Sequence, residues 1–309
     1  MAKKDIYQEV TSKIIAVLET VDLADYQPPF AALAAQGLPL NPITEHRYQG
    51  INIPSLWFDQ QDKGFSSSHW ATFNQWKERG ASVRKGEKGS PIIFYKTLLR
   101  EEQTDSGETE ERAVPMLKTY TVFNADQVDG YDRANLVNRS DIDLVTRIQA
   151  ADHFCANTGA DIRHGGAKAF YHRVEDFIQI PDTKAFVETK QASATENYYA
   201  TLLHELTHWT GAAHRLDRDK AKTGAERDKY AFEELVAELG AAFLCSAIGI
   251  VQTPRDDHAL YIKGWLTALR NDKKYVFKAA AQAAKAAEFL HGLQTEPRKA
   301  SEPAPERPR

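Results

Sequence analysis

Residues 201–210 read TLLHELTHWT and contain the string His204-Glu205-Leu206-Thr207-His208. H-E-x-x-H makes chemical sense only on a helix. Residues four apart lie on one helical face, one turn apart, so both imidazoles can reach a single metal ion. Glu205, next to the first histidine, is then placed to act as general base on a metal-activated water. Tyr198, Tyr199, Leu202, Leu203, Leu206 and Trp209 flank the motif and predict a buried helix. The competing reading, histidines in ordinary polar contacts, would not require these apolar flanks.

Two histidines leave such a site incomplete, because a catalytic zinc ion takes three protein ligands and one open position. His214 is one candidate, since residues 204–214 spell H-E-x-x-H-x-x-G-x-x-H with Gly211 at the turn. That longer pattern also requires a methionine turn downstream. The chain has only Met1 and Met116, both upstream. The other candidates are Glu233, Glu234 and Glu238 in the next helical stretch, residues 230–244. Glu234, Ala237, Gly240, Ala241 and Leu244 share a mostly small-residue face that can pack closely on the metal helix. Glu234 is therefore favoured as the third ligand, with His214 as the alternative. Glu238, one turn further on, is expected to support a ligand histidine from behind. The motif, with zinc or another divalent ion such as manganese, points to a metal-dependent peptidase.

The chain's 309 residues suffice for two domains. Its two cysteines, Cys155 and Cys245, provide neither a disulfide framework nor a zinc site, which fits a reducing cytoplasm. No apolar run approaches membrane-spanning length, so no membrane partner is expected. The fold class expected is α+β. Residues 1–130 are read as an antiparallel sheet with helices, and residues 131–141 as a linker. Residues 142–292 are read as a mostly helical zincin-like domain with a small sheet, and 293–309 as a disordered tail. Within the second domain, residues 176–180 are expected to form a short strand along a substrate cleft, binding peptide by backbone hydrogen bonds.

Net charge is −4 overall, yet residues 40–100 hold nine Lys/Arg against five Asp/Glu and three of the five tryptophans. Ser66 to Ser68 offer an N-cap for a helix carrying Trp70, Phe73 and Trp76. Residues 91–96 and 116–123 read as strands, with the acidic stretch 100–113 as an exposed loop between them. Cations interleaved with aromatics suit single-stranded nucleic acid, where charges follow phosphates and rings stack on bases. Tryptophans at helical spacing serve a hydrophobic core equally well.

These residues resemble the ArdC antirestriction proteins of conjugative plasmids, whose N-terminal half is shared with certain plasmid primases. The resemblance runs to about residue 290. It rests on NPIT (41–44), YQGIN (48–52), WATF (70–73) and GASVRKGEKG (80–89), and on DFIQIP (176–181), YYATLLHELTHWTG (198–211), RLDR (215–218) and YAFEELVAE (230–238). It implies an N-terminal domain that binds single-stranded DNA without sequence preference. It also implies a zincin-like metalloprotease domain, similar to the SprT and Spartan group, and protection of incoming plasmid DNA from host restriction. Arg47, Arg84, Lys85 and Lys88 are the expected phosphate contacts, with Tyr48, Trp57 or Trp70 stacking. Tyr171 or Tyr230 would face the oxyanion, and the protein substrate would be DNA-bound or part of a restriction system. A DNA-occluding protein with a purely structural metal is the alternative.

Overall fold

The computed structural model describes residues 5–19, 30–103, 109–132, 143–218, 226–251 and 259–294. Helix α1 (Ile6–Glu19) buries Val10, Ile14 and Leu18, which repeat every four residues on one face. That face docks on the C-terminal part of the chain, where the Thr11 hydroxyl donates to the Lys273 carbonyl. A short helix α2 (Ala31–Ala34) and the paired strands β1 (Leu40–Asn41) and β2 (His46–Arg47) lead into α3 (Asn52–Asp62). Pro54 lies in the first turn of α3, where a missing N–H breaks no helical bond.

Strand β3 (Trp70–Thr72) runs directly into α4 (Phe73–Glu78). Thr72 and Gln75 cap each other reciprocally, so the helix starts here and not at the serine run. The Ser66 amide and hydroxyl instead donate to Asp126. Trp70 consequently belongs to a strand, which corrects the sequence expectation. The strands β4 (Ser82–Val83), β5 (Ser90–Gln103), β6 (Thr109–Asn124) and β7 (Val128–Asp129) follow. β3, β6 and β5 form an antiparallel sheet in that order, and β4 pairs with β7. The β5–β6 ladder continues to Gln103↔Thr109, through most of the acidic segment expected to be a loop. A two-stranded ribbon needs only backbone pairing, so polar side chains do not end it. Asn52 fastens the outer edge of β5, accepting from the Ile93 amide and donating to its carbonyl, each at 2.8 Å.

The C-terminal half opens with α5 (Leu144–Ala156), whose N-terminus is capped by the Asp143 carboxylate. A mixed sheet follows, of β8 (Asp161–His164), β9 (Phe170–His172) and β10 (Phe177–Ile180). Its order is β8-β10-β9, with β10 parallel to β8 and antiparallel to β9. Strand β10 is therefore central. Its backbone is committed to both neighbours, and the sheet's open edges belong to β8 and β9, not to residues 176–180. The remaining helices are α6 (Ala194–Trp209), α7 (Glu226–Ile248), α8 (Ala259–Asn271) and α9 (Tyr275–Gly292). One hydrophobic core runs from Ile14 of α1 and Trp57 of α3 through Leu203 of α6 and Phe243 of α7 to Ala283 of α9. The fold is thus mixed α and β, with an antiparallel sheet towards the N-terminus and a mostly helical C-terminal part. Most of the expected linker (residues 133–141) and tail (residues 295–309) lies outside the described residues. No described helix is long and apolar enough to cross a membrane.

Candidate metal centre

Helix α6 opens on a reciprocal cap between Ser193 and Glu196 and carries the motif in its last turns. His204 and His208 project from one face, with Nε2 atoms 3.1 Å apart. Glu234 of α7 completes the group: Oε2 lies 3.5 Å from His204 Nε2, and Oε1 lies 3.5 Å from His208 Nε2. Ligands bound tetrahedrally at zinc-type distances sit about 3.3–3.6 Å from one another. The two histidine–glutamate spacings fall in that range and the histidine–histidine spacing of 3.1 Å lies just below it, and two imidazole nitrogens plus a carboxylate fit a divalent metal such as zinc or manganese. Among the described residues, His204, His208 and Glu234 are the group of three whose ligand atoms converge in this way.

The approach of α7 to α6 depends on a glycine. A Cβ added at Gly240 would lie 2.5 Å from Thr207 Cγ2, so any side chain there would part the helices. Behind each histidine stands a carboxylate. Glu233 Oε1 is 3.3 Å from His208 Nδ1, and Glu238 Oε2 is 3.8 Å from His204 Nδ1. The Glu233 contact is close enough to fix the His208 ring, Glu238 sets its charge beside His204 Nδ1, and both leave the Nε2 atoms for a metal. Glu233 is itself gripped by the buried Arg218, whose Nη2 lies 2.6 Å from Oε1. Arg218 also donates to the Thr210 hydroxyl and the Thr207 carbonyl, tying the end of α6 to α7. Burial works against charge on Glu233, but His208 and Arg218 outweigh it and hold its carboxyl well below the usual range. Glu234 shows the same balance, with the two histidines holding it ionised against burial. For His208, burial favours the neutral ring. The carboxylates of Glu234 and Glu233 overcome it, and its pKa rises to about 9.

His214 is elsewhere. Its side chain is 63% exposed, and Nε2 lies 3.3 Å from Asp176 Oδ2. Gly211 does not adopt the left-handed conformation that would justify a glycine at a sharp turn. Its hydrogen is needed because a Cβ would lie 2.7 Å from Arg218 Nη2. The match to H-E-x-x-H-x-x-G-x-x-H at Gly211 thus reflects room for a buried arginine. Glu205 is buried on α6 beside the ligand pair. Tyr171 is engaged away from the metal group, donating to Asp176 Oδ1 at 2.6 Å and accepting from Arg215. Tyr230 lies one turn before Glu234, and its hydroxyl accepts from Tyr261 at 3.2 Å. Burial, Tyr261 and Glu234 together push the Tyr230 hydroxyl pKa upward. The sequence reading gave no role to Arg218 or Tyr261. RLDR marked Arg218 as a motif residue, but burial against Glu233 is a tertiary fact.

The candidate DNA contacts separate into groups. Trp57 and Trp70 are fully buried, so neither ring can stack on a base. Trp57 packs against Phe243 and donates to the Gly37 carbonyl, which makes it part of the core. Arg84 pairs with Glu87 and Asp129 and donates to the Asp126 carbonyl. Lys85 and Lys88 are exposed on the same turn. Arg47 and Tyr48 line a separate groove of about 1160 Å³ between the N-terminal sheet and α9. The Tyr48 hydroxyl donates to the Trp70 carbonyl, which anchors that ring. Phe94 and Tyr120 also line this groove and were missed from sequence. Only period-two alternation along their strands hinted at them.

Known proteins resemble this chain over most of its length. Residues 4–123 match the N-terminal domain of the anti-restriction factor ArdC, and residues 149–282 match the zincin-like metallopeptidase family. The protein y4eC of Sinorhizobium fredii is 39% identical over 298 residues, covering 94% of this chain and 93% of its own. The DNA primase TraC of Escherichia coli is 36% identical over 307 residues, but this chain spans only 27% of the primase. The metal-free crystal structure of antirestriction protein ArdC from plasmid R388 superposes with a TM-score of 0.75 at 40% identity, covering 94% of this chain and 98% of that one. Its Mn(II)-bound structure gives 0.73 at 39% identity with the same coverage. Near-complete coverage at this identity, across both halves, establishes that the chain belongs to the ArdC antirestriction family.

Proposed function

We propose that this protein acts in the cytoplasm of a recipient cell, shielding incoming plasmid DNA from host restriction. Its N-terminal half binds single-stranded DNA without sequence preference, and its C-terminal half hydrolyses peptide bonds in a DNA-bound or restriction-system protein. The observation that carries the peptidase reading is the convergence of His204, His208 and Glu234 beside the buried Glu205. A divalent ion held there would polarise a peptide carbonyl and make the attacking water more acidic. Glu205 takes the water's proton and passes it to the departing amine nitrogen. Glu233 holds the His208 imidazole in register, Glu238 places a carboxylate beside His204 Nδ1, and Arg218 holds Glu233. The Tyr230 hydroxyl, near Glu234 and kept protonated, is a donor for the developing oxyanion.

Glu205→Gln tests the proposal because it removes the base and keeps all three ligands. Bound metal should stay at the wild-type level, while cleavage of candidate restriction proteins and protection of transferred DNA fall together. Full protection by a metal-loaded Glu205→Gln protein would sink the proteolytic half. That result would favour the second reading, DNA occlusion around a structural metal, which the deep burial of His204, Glu205 and Glu234 supports.

A further inference from the structure

Strands β5 and β6 place Ile92 opposite Tyr120, and Phe94 opposite Lys118. Directly opposed residues, and residues two apart on one strand, share a face of the sheet. Phe94, Tyr120 and Lys118 therefore form one surface, with Phe94 59% and Tyr120 45% exposed and Lys118 open beside them. Helix α9 lines the same groove. It presents the small residues Ala281 and Ala284, with the exposed Lys285 beside them. Arg47 stands on the same lining.

Three observations identify the occupant. The lining holds one arginine, Arg47, and one lysine, Lys285, against the single acid Glu288, a net of +1 with its histidines neutral. This positive lining, in a chain of net −4, complements phosphate. At about 1160 Å³ the groove exceeds the range of small-ligand pockets, roughly 300–1,000 Å³. The edge of β5 next to it has its Ile93 amide and carbonyl taken by Asn52, so a peptide cannot add there as a further strand. Exposed rings on a sheet, bordered by cations, are how bases are stacked and phosphates followed.

We infer that single-stranded DNA runs between the β5–β6 face and α9, so that the metallopeptidase half supplies one wall of the DNA site. This rests on the single-strand binding proposed above and adds its path: Phe94 and Tyr120 stack on bases, while Arg47, Lys118 and Lys285 meet phosphates.

The test uses the full chain, a fluorescein-labelled oligothymidylate and anisotropy titrations across a salt series. Phe94→Ala and Tyr120→Ala should each weaken binding by about 5- to 150-fold. Lys118→Ala combined with Lys285→Ala should lower the salt slope by about 1.4, for two phosphate contacts at about 0.7 each. Lys184→Glu, an exposed change outside the groove, should leave both unchanged. Wild-type binding that survives Phe94→Ala, Tyr120→Ala and the lysine pair overturns the path and spares the DNA-binding reading. A wild-type protein that binds no oligothymidylate overturns both. Groove variants that lose restriction protection but keep full DNA affinity assign the groove to a protein partner and also overturn the inference.

Discussion

At the metal centre, His204, Glu205 and Glu234 are buried, and each histidine has a carboxylate behind it. On the β5–β6 face, Phe94 and Tyr120 stand open to solvent with cations beside them. The first arrangement holds three ligand atoms at spacings near 3.3 Å through two tightly packed helices. The second spreads its groups over three strands and a distant helix. A metal site tolerates little displacement, so its supports are packed around it. A polymer groove can sum many weak contacts, so its groups remain accessible. Substitutions at the centre should therefore damage the fold, whereas substitutions in the groove should damage only binding.

The largest effect is expected at Arg218. Arg218→Met takes away the buried cation that pairs with Glu233 and leaves His208 as its remaining charge partner, which should cost about 3–5 kcal/mol in urea unfolding. Phe94→Ala in the groove, at a ring 59% exposed, should stay within about 0.5 kcal/mol. Similar values for the two would break the contrast between the regions. Gly240→Leu comes next. Its side chain must enter space held by Thr207, so overpacking should cost about 1–3 kcal/mol and weaken metal binding together with stability. Undiminished metal affinity in that variant would show that the α6–α7 spacing does not set the site.

Neutralising the carboxylate behind a histidine acts on the ligand, and at Glu233 it also removes the partner of the buried Arg218. Glu233→Gln or Glu238→Gln should reduce affinity for zinc or manganese by about 10- to 100-fold in a competition titration. Glu234→Ala should reduce it further, and His214→Ala should leave it unchanged. Loss of metal on replacing His214 would refute the ligand set drawn from the geometry.

The same contrast explains what the sequence disclosed. His204 and His208 were legible because a four-residue spacing on a helix fixes a face locally. Glu234 could be favoured because Gly240 and its small neighbours announced a close helix approach. Arg218 could not be found, since its burial depends on Gly211, Glu233 and the end of α6 meeting in space. Trp57 and Trp70 misled for a related reason. An aromatic residue in a basic region suits a core or a stacking surface, and only burial separates the two. Phe94 and Tyr120 acquire a common face only once the register pairs Ile92 with Tyr120, and register is not a local property. The ribbon through residues 100–103 and 109–113 was missed because its pairing uses backbone groups, which leave no mark in composition.

Between these extremes lies the cluster of Asp176, Arg215 and Tyr171, which joins the small sheet to the end of α6. Arg215 spreads its guanidinium over the Trp209 ring at 3.9 Å, donates to the Trp209 carbonyl and pairs with Asp176. Hydrogen bonds from Arg215 hold the Asp176 carboxyl down at about 2, against partial burial and with help from Tyr171. The folded pKa thus lies below the unfolded value of about 3.9. The bridge contributes its full stability above about pH 4 and loses it as pH falls through about 2. Asp176→Asn suits the test, because position 176 has φ of 57° and asparagine tolerates the left-handed region as aspartate does. The melting-temperature gap between wild type and Asp176→Asn should be constant from pH 7 to 5 and shrink between about pH 4 and 2. It should remain the smallest of these effects, because Asp176 is about one-third exposed and solvent screens the pair. A gap independent of pH would mean that Arg215 is held by Trp209 and the α6 carbonyl alone, which would place the cluster with the packed metal half of the molecule.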